Sequence, residues 1–93
     1  MIPFGRRVVM PAHVVVQEVQ GESVLLNLDS ERYFGLDETG TRMWVVLAES
    51  ASIEEAYQVL LAEYDVAPEA LRSDMGDLIG QLVENGLLEL TDG

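Results

Sequence analysis

The side chains that could do acid–base, nucleophilic or ligating chemistry are few in kind: 17 acids, 5 arginines, one histidine, no lysine and no cysteine. Without thiols there is no disulfide, thiolate nucleophile, iron–sulfur cluster or thiolate zinc site. The lone histidine, His13, stands in an apolar stretch and reads as a strand residue with no special role. Asp74 and Asp77 sit at helical spacing, but two carboxylates without a cleft, a histidine or a metal partner do not argue for hydrolysis. No phosphate-binding loop is present either. The expectation is a protein that is not an enzyme and needs no metal or cofactor. Recognition remains, and two segments could supply it. Arg32-Tyr33-Phe34-Gly35-Leu36 is a strand-like, aromatic run. Leu71, Met75, Leu78, Ile79, Leu82 and Val83 fall on one broad helical stripe.

The elements that carry these segments can be read from turn and cap signals. The chain has 93 residues, the size of one domain, so residues 1–93 are taken as a single unit. Met1 to Arg7 reads as a flexible arm. The valine-rich run from Val8 to Val19 has strong β propensity, but Pro11 interrupts it and places the regular strand from about His13. Gln20-Gly21-Glu22 is a turn, Ser23 to Leu28 a second strand, Asp29-Ser30-Glu31 another turn, and Arg32 to Leu36 a third strand. Short links favour an antiparallel meander whose third strand is an edge. After Asp37, a candidate cap, the period changes to about 3.6 and a helix carries Met43 and Trp44, the latter a core residue. Ser52-Ile53-Glu54-Glu55 is a capping box opening a second helix to about Tyr64. Pro68 suits the first position of a third helix, although Ala67 leaves its cap position without an oxygen. Gly86 fits a left-handed stop, and Leu87, Leu88 and Leu90 form a short apolar tail that folds back.

Composition narrows the partners. The net charge is −12. Arg6 and Arg7 against Glu18 leave residues 1–20 at +1, so residues 21–93 carry −13. Such a balance either keeps the chain soluble or attracts a basic partner. It argues against nucleic acid, because the third helix offers Arg72 and then Asp74, Asp77 and Glu84. A DNA-binding winged helix is therefore disfavoured. No run approaches the roughly 18 apolar residues of a membrane span, and the N-terminus is too short and proline-broken for a signal peptide. A cytoplasmic protein without a membrane partner is expected.

Several residues stay open to two readings. The third-helix stripe is either all core or has a margin that lines a groove. Tyr33 and Phe34 are either core or peptide contacts. Gly35 removes a side chain where another backbone could approach. Gly76 and Gly80, each costing roughly 1 kcal/mol against alanine in a helix, either permit close packing of another element or carry no role.

Taken in order, VLLNL at Val24–Leu28, RYFGLDETG at Arg32–Gly40, Trp44, the Ser52–Glu55 start, Tyr64-Asp65, Asp74 and Asn85-Gly86-Leu87-Leu88 resemble the RiPP recognition elements, small domains similar to PQQ-biosynthesis protein D. The resemblance covers about Val14 to Leu88. It implies an α+β fold, winged helix-turn-helix-like, with a three-stranded antiparallel sheet followed by three helices. It implies non-catalytic binding of the leader segment of a ribosomally made precursor peptide, which adds a strand to the third strand and lies against the third helix. On that basis Glu31, Arg32, Tyr33, Phe34, Gly35 and Leu36 would supply the pairing edge. Phe34, Met75, Leu78 and Leu82 would line an anchor pocket, and Asp74 and Gln81 would add polar contacts, Asp74 to a basic leader group. Family members often carry an acid where this chain has Ala67. The chain also lacks the basic, Trp-containing segment usual in true PQQ-biosynthesis members. It looks more like the stand-alone leader-binding proteins of lasso-peptide clusters, which work with a separate cysteine leader peptidase and a macrolactam cyclase; a monomer is expected. Leaders there often carry Tyr-x-x-Pro with basic residues nearby. The alternative within the family is a carrier for PQQ biosynthesis that delivers its precursor to a radical SAM enzyme.

Overall fold

The computed structural model describes residues 2–91. Pro11, which has no amide to give a ladder, splits the valine-rich run into β1 (Arg7–Val9) and β2 (Val14–Val19). Gln20 and Gly21, both at positive φ, form the two-residue loop between β2 and β3 (Glu22–Asn27), the backbone pattern that matches strand twist. The next loop ends at Glu31, held at φ 61°, whose amide donates to the Asn27 carbonyl at 2.8 Å. It leads into β4 (Arg32–Leu36). The three strands make an antiparallel sheet in the order β2-β3-β4.

Asp37 caps α1 (Glu38–Glu49), its carboxylate accepting the Gly40 amide at 2.8 Å. The Ser52 hydroxyl does the same for the Glu55 amide at 3.1 Å and starts α2 (Ile53–Glu63). α3 (Pro68–Glu84) starts with Pro68 and has no side-chain cap, because Ala67 has none to offer. Ala67→Asp is therefore expected to stabilise the fold by about 1 kcal/mol. In a thermal melt that is a rise of roughly 5 °C. Gly86, at φ 68°, ends α3: its amide returns to the Val83 carbonyl and the Leu87 amide to the Leu82 carbonyl. Leu87 and Leu88 then enter the core.

The sheet followed by three helices agrees with the α+β expectation, and the bounds of β4 are those read from the sequence. The winged-helix likeness is loose, since the three-stranded sheet precedes all three helices. A second sheet was not foreseen. β5 (Glu89–Thr91) pairs antiparallel with β1, Val8 opposite Leu90. Residues 2–7, expected as an arm, are in contact with the helices. The Phe4 and Arg6 carbonyls accept the Glu54 and Ile53 amides, each at 2.8 Å, satisfying free donors at the start of α2. The Phe4 ring meets Tyr57 edge-on at 6.0 Å, and the Arg72 guanidinium lies 4.3 Å from its centroid. Ile2 and Phe4 make this possible: the arm carries apolar residues that pack against the core. Met1, part of the expected arm, lies outside the described residues.

One apolar cluster joins the inner face of the sheet to all three helices, with Leu25, Leu47, Ile53, Leu60, Met75, Ile79 and Leu82 fully buried. Trp44 is buried, as expected.

Candidate functional site

The three-stranded sheet has two edges, β2 and β4. On β2, Val14 and Val16 face the helices, opposite Asn27 and Leu25, and Glu18, opposite Ser23, falls on the same side by register but is exposed. On β4, Arg32, opposite Asn27, is likewise on that side and exposed. Phe34, opposite the fully buried Leu25, faces the helices and is half-buried. Leu36, opposite Ser23, is buried. Tyr33 and Gly35 point to the outer face, Tyr33 with 76% of its surface exposed and Gly35 with open space where a Cβ would stand. Arg32 and Glu31 are exposed at the start of the strand. A chain laid along β4 would find alternate backbone amides and carbonyls pointing outward.

The β4 end is held rigidly. The Ser23 hydroxyl donates to Thr41 Oγ1 at 2.8 Å, and Thr41 Oγ1 donates to the Leu36 carbonyl at 3.4 Å, fixing β3 and β4 to α1. At the other end Asn27 plays the equivalent part. Its Oδ1 accepts the Asp29 and Ser30 amides at 3.0 and 3.2 Å, which shapes the turn into β4. Its Nδ2 donates to the Asn85 and Gly86 carbonyls at 3.2 and 3.4 Å, which ties that turn to the end of α3. A Cβ on Gly86 would stand 2.8 Å from Asn27 Nδ2, so close approach as well as positive φ requires glycine there. His13 reinforces the same corner: its Nε2 lies 3.2 Å from the Gly86 carbonyl and its Nδ1 3.6 Å from an Asp29 carboxylate oxygen. The histidine read as having no role is therefore a clamp. Asn27 was missed altogether; the signal was a polar residue on the buried side of a strand, between Leu25 and a turn.

α3 completes the site. Asp74, Leu78, Gln81 and Asn85 recur at i, i+4, i+7 and i+11 and so share one flank, at whose end the Asn85 carbonyl is tied to Asn27 of β3. Along it Asp74 and Gln81 are exposed and Leu78 is half-buried. Met75 and Leu82 are not accessible there. Both have no exposed surface and belong to the core, because they lie at the centre of the stripe and not at its margin. Within the stripe, Leu78 and Val83 are the half-buried margins. β3 and β4 rest on α1 while α3 rests on α2, so β4 and α3 share no extensive backbone contact. The elements available are a strand edge with a half-buried aromatic side chain on β4, and on α3 a half-buried aliphatic side chain and an exposed acid. Among the described residues no group of His, Asp and Glu could hold a metal ion, and no helix is long and apolar enough to cross a membrane.

Residues 22–88 match the family model of coenzyme PQQ synthesis protein D (PqqD). Among solved structures, the chain is similar to "TbiB1 in Complex with the TbiA(beta) Leader Peptide", with 36% identity, 86% of this chain and 93% of that one covered, and a TM-score of 0.80. It is also similar to "Lasso peptide synthetase B1 complexed with the leader peptide", with 25% identity, 89% and 98% covered, and a TM-score of 0.79. No curated protein matches the chain.

Proposed function

The chain belongs to the PqqD family, and from that premise we propose that it is a RiPP recognition element that binds a precursor's leader peptide by strand addition to β4. The bound strand lies against the Asp74–Leu78–Gln81 flank of α3. The single observation that carries this reading is the β4 edge, where the half-buried Phe34 and the bare backbone of Gly35 stand on a strand that is paired on one side only. Both similar solved structures are lasso-peptide or leader-peptide complexes, which favours a lasso pathway over PQQ biosynthesis. The role is to hold the leader and deliver it, in the cytoplasm, to a cysteine leader peptidase and a macrolactam cyclase, with no chemistry of its own.

Magnitudes show which contacts set affinity. About five strand hydrogen bonds at roughly 1 kcal/mol each give about 5 kcal/mol. Association costs at least roughly 4 kcal/mol. Backbone pairing alone thus falls short of the roughly −8 kcal/mol of a micromolar complex. Burying anchor side chains adds about 1.5–3 kcal/mol each. Side chains of the leader must therefore fill the space beside Phe34 and Leu78.

Titration calorimetry with the synthetic leader of the neighbouring precursor tests the proposal, with micromolar or tighter binding expected and no detectable binding overturning it. The acid on the flank gives a second readout. Asp74 is exposed, so Asp74→Asn is expected to weaken a basic leader only about threefold at low salt. That difference should fade at roughly 0.5 M salt, where charges are screened within a few ångströms. An effect that persists at high salt would assign Asp74 a direct hydrogen bond instead.

A further inference from the structure

The proposed leader site uses one flank of α3; the opposite flank faces a groove. Arg72, Gly76, Gly80 and Val83, at i, i+4, i+8 and i+11, run along its floor, and Ile2 and Phe4 form its far wall. Its volume is about 790 Å³. Ile2, Phe4 and Val83 are half-buried apolar residues packed on the core. A Cβ at Gly76 or Gly80 would meet nothing within 4 Å, so neither packing nor backbone conformation requires glycine there. The two positions leave bare helix backbone open to the groove. The rim is acidic: Asp77 and Glu84 are exposed, while the Arg72 guanidinium is engaged by Glu54 at 2.9 Å and by the Phe4 and Tyr57 rings.

We infer that this groove docks an amphipathic helix of the enzyme that processes the bound peptide, with an apolar ridge set between lysines or arginines. The inference rests on the proposed leader-binding function. From Arg72 to Glu84 the groove follows α3 for roughly 18 Å, about three turns of a partner helix. Bare backbone at Gly76 and Gly80 lets that helix approach closely. The acidic rim, on a chain of net charge −12, selects a basic partner and opposes a second copy of this chain. Because the leader occupies the other flank, enzyme and peptide can be held at once, and docking does not displace the cargo.

The probe is a synthetic helical peptide of about 14 residues with leucine and alanine on one face and lysine on its borders, set against the same peptide with glutamate for lysine. Both are titrated into the isotope-labelled, leader-loaded chain and followed by amide chemical shifts. The lysine peptide is expected to shift Phe4, Gly76, Gly80 and Val83, and the glutamate peptide to bind at least about tenfold more weakly. Gly76→Gln with Gly80→Gln should weaken the lysine peptide and the leader peptidase at least about tenfold, leave leader affinity within about twofold, and leave the melting temperature unchanged or higher. Gly80→Ala alone serves as the milder variant and should show the same order of effects. Shifts that gather instead on Val15, Val24 and Tyr33, or a filled groove that binds peptide and peptidase as the wild type does, would overturn the inference. Failure of the leader itself to bind would sink the proposed function and be read separately, in the first titration.

Discussion

Asn27→Ala is expected to lower the stability of the fold by about 3 kcal/mol, a loss larger than that of any surface substitution. In a chain of this size that corresponds to a fall of roughly 15 °C in melting temperature. The side chain is 5% exposed and makes four hydrogen bonds, two accepted from turn amides and two donated to carbonyls at the end of α3. Alanine leaves the Asp29 and Ser30 amides and the Asn85 and Gly86 carbonyls without this partner in a part-buried corner, and each lost hydrogen bond costs about 0.5–1.5 kcal/mol. Asn27→Asp separates the two halves of the role. A carboxylate still accepts the turn amides but repels the two carbonyls, so the turn should stay protected in hydrogen exchange while the end of α3 opens. Leader affinity should fall in both variants, because the start of β4 and the sheet-side flank of α3 lose their common bolt. A melt within about 1 kcal/mol of wild type would show that His13 alone holds the corner.

The parts of this protein that were legible in its sequence are those decided within a few residues. The Asp37 and Ser52 caps, the Pro68 start, the Gly86 stop and the limits of β4 depend on local hydrogen bonds and on allowed φ values, and the residue types announce them. The β1–β5 sheet was illegible because each strand has three residues, too few for alternation to register, and its partner lies at the opposite end of the chain. Phe4 looked like part of an arm because the groups its ring packs on, Tyr57 and Arg72, come from two separate helices. The proposed site was legible by halves. The edge strand was visible as a strand, but which of its side chains turn toward the helices follows from its register with β3. The helix stripe was visible as apolar, but six apolar residues at helical spacing do not say which margin stays uncovered. Packing of α3 on α2 and on the sheet decides it, and puts Met75 and Leu82 inside and Leu78 at the margin.

Phe34→Ala and Leu78→Ala are each expected to weaken leader binding by roughly 10- to 30-fold, about 1.5–2 kcal/mol, the transfer energy of a side chain buried by the anchor. Both residues are half-buried in the free chain, so truncation removes contacts the leader would make and leaves most of the core intact. Met75→Ala should do the reverse. Its side chain has no exposed surface, so the variant should lose about 2–4 kcal/mol in a denaturant melt while any folded fraction binds leader almost normally. Val59→Ala, on an exposed position of α2, should change neither. Calorimetry on the two groove variants and their double mutant then separates two geometries. If one leader side chain sits between β4 and α3, the losses are coupled by about 0.5–1 kcal/mol; if two side chains occupy separate hollows, they add. Coupling requires one extended chain to touch the strand and the helix at the same place, which is the physical content of strand addition beside α3. Wild-type binding by both variants would place the leader on another surface, leaving the open β4 edge without a functional consequence.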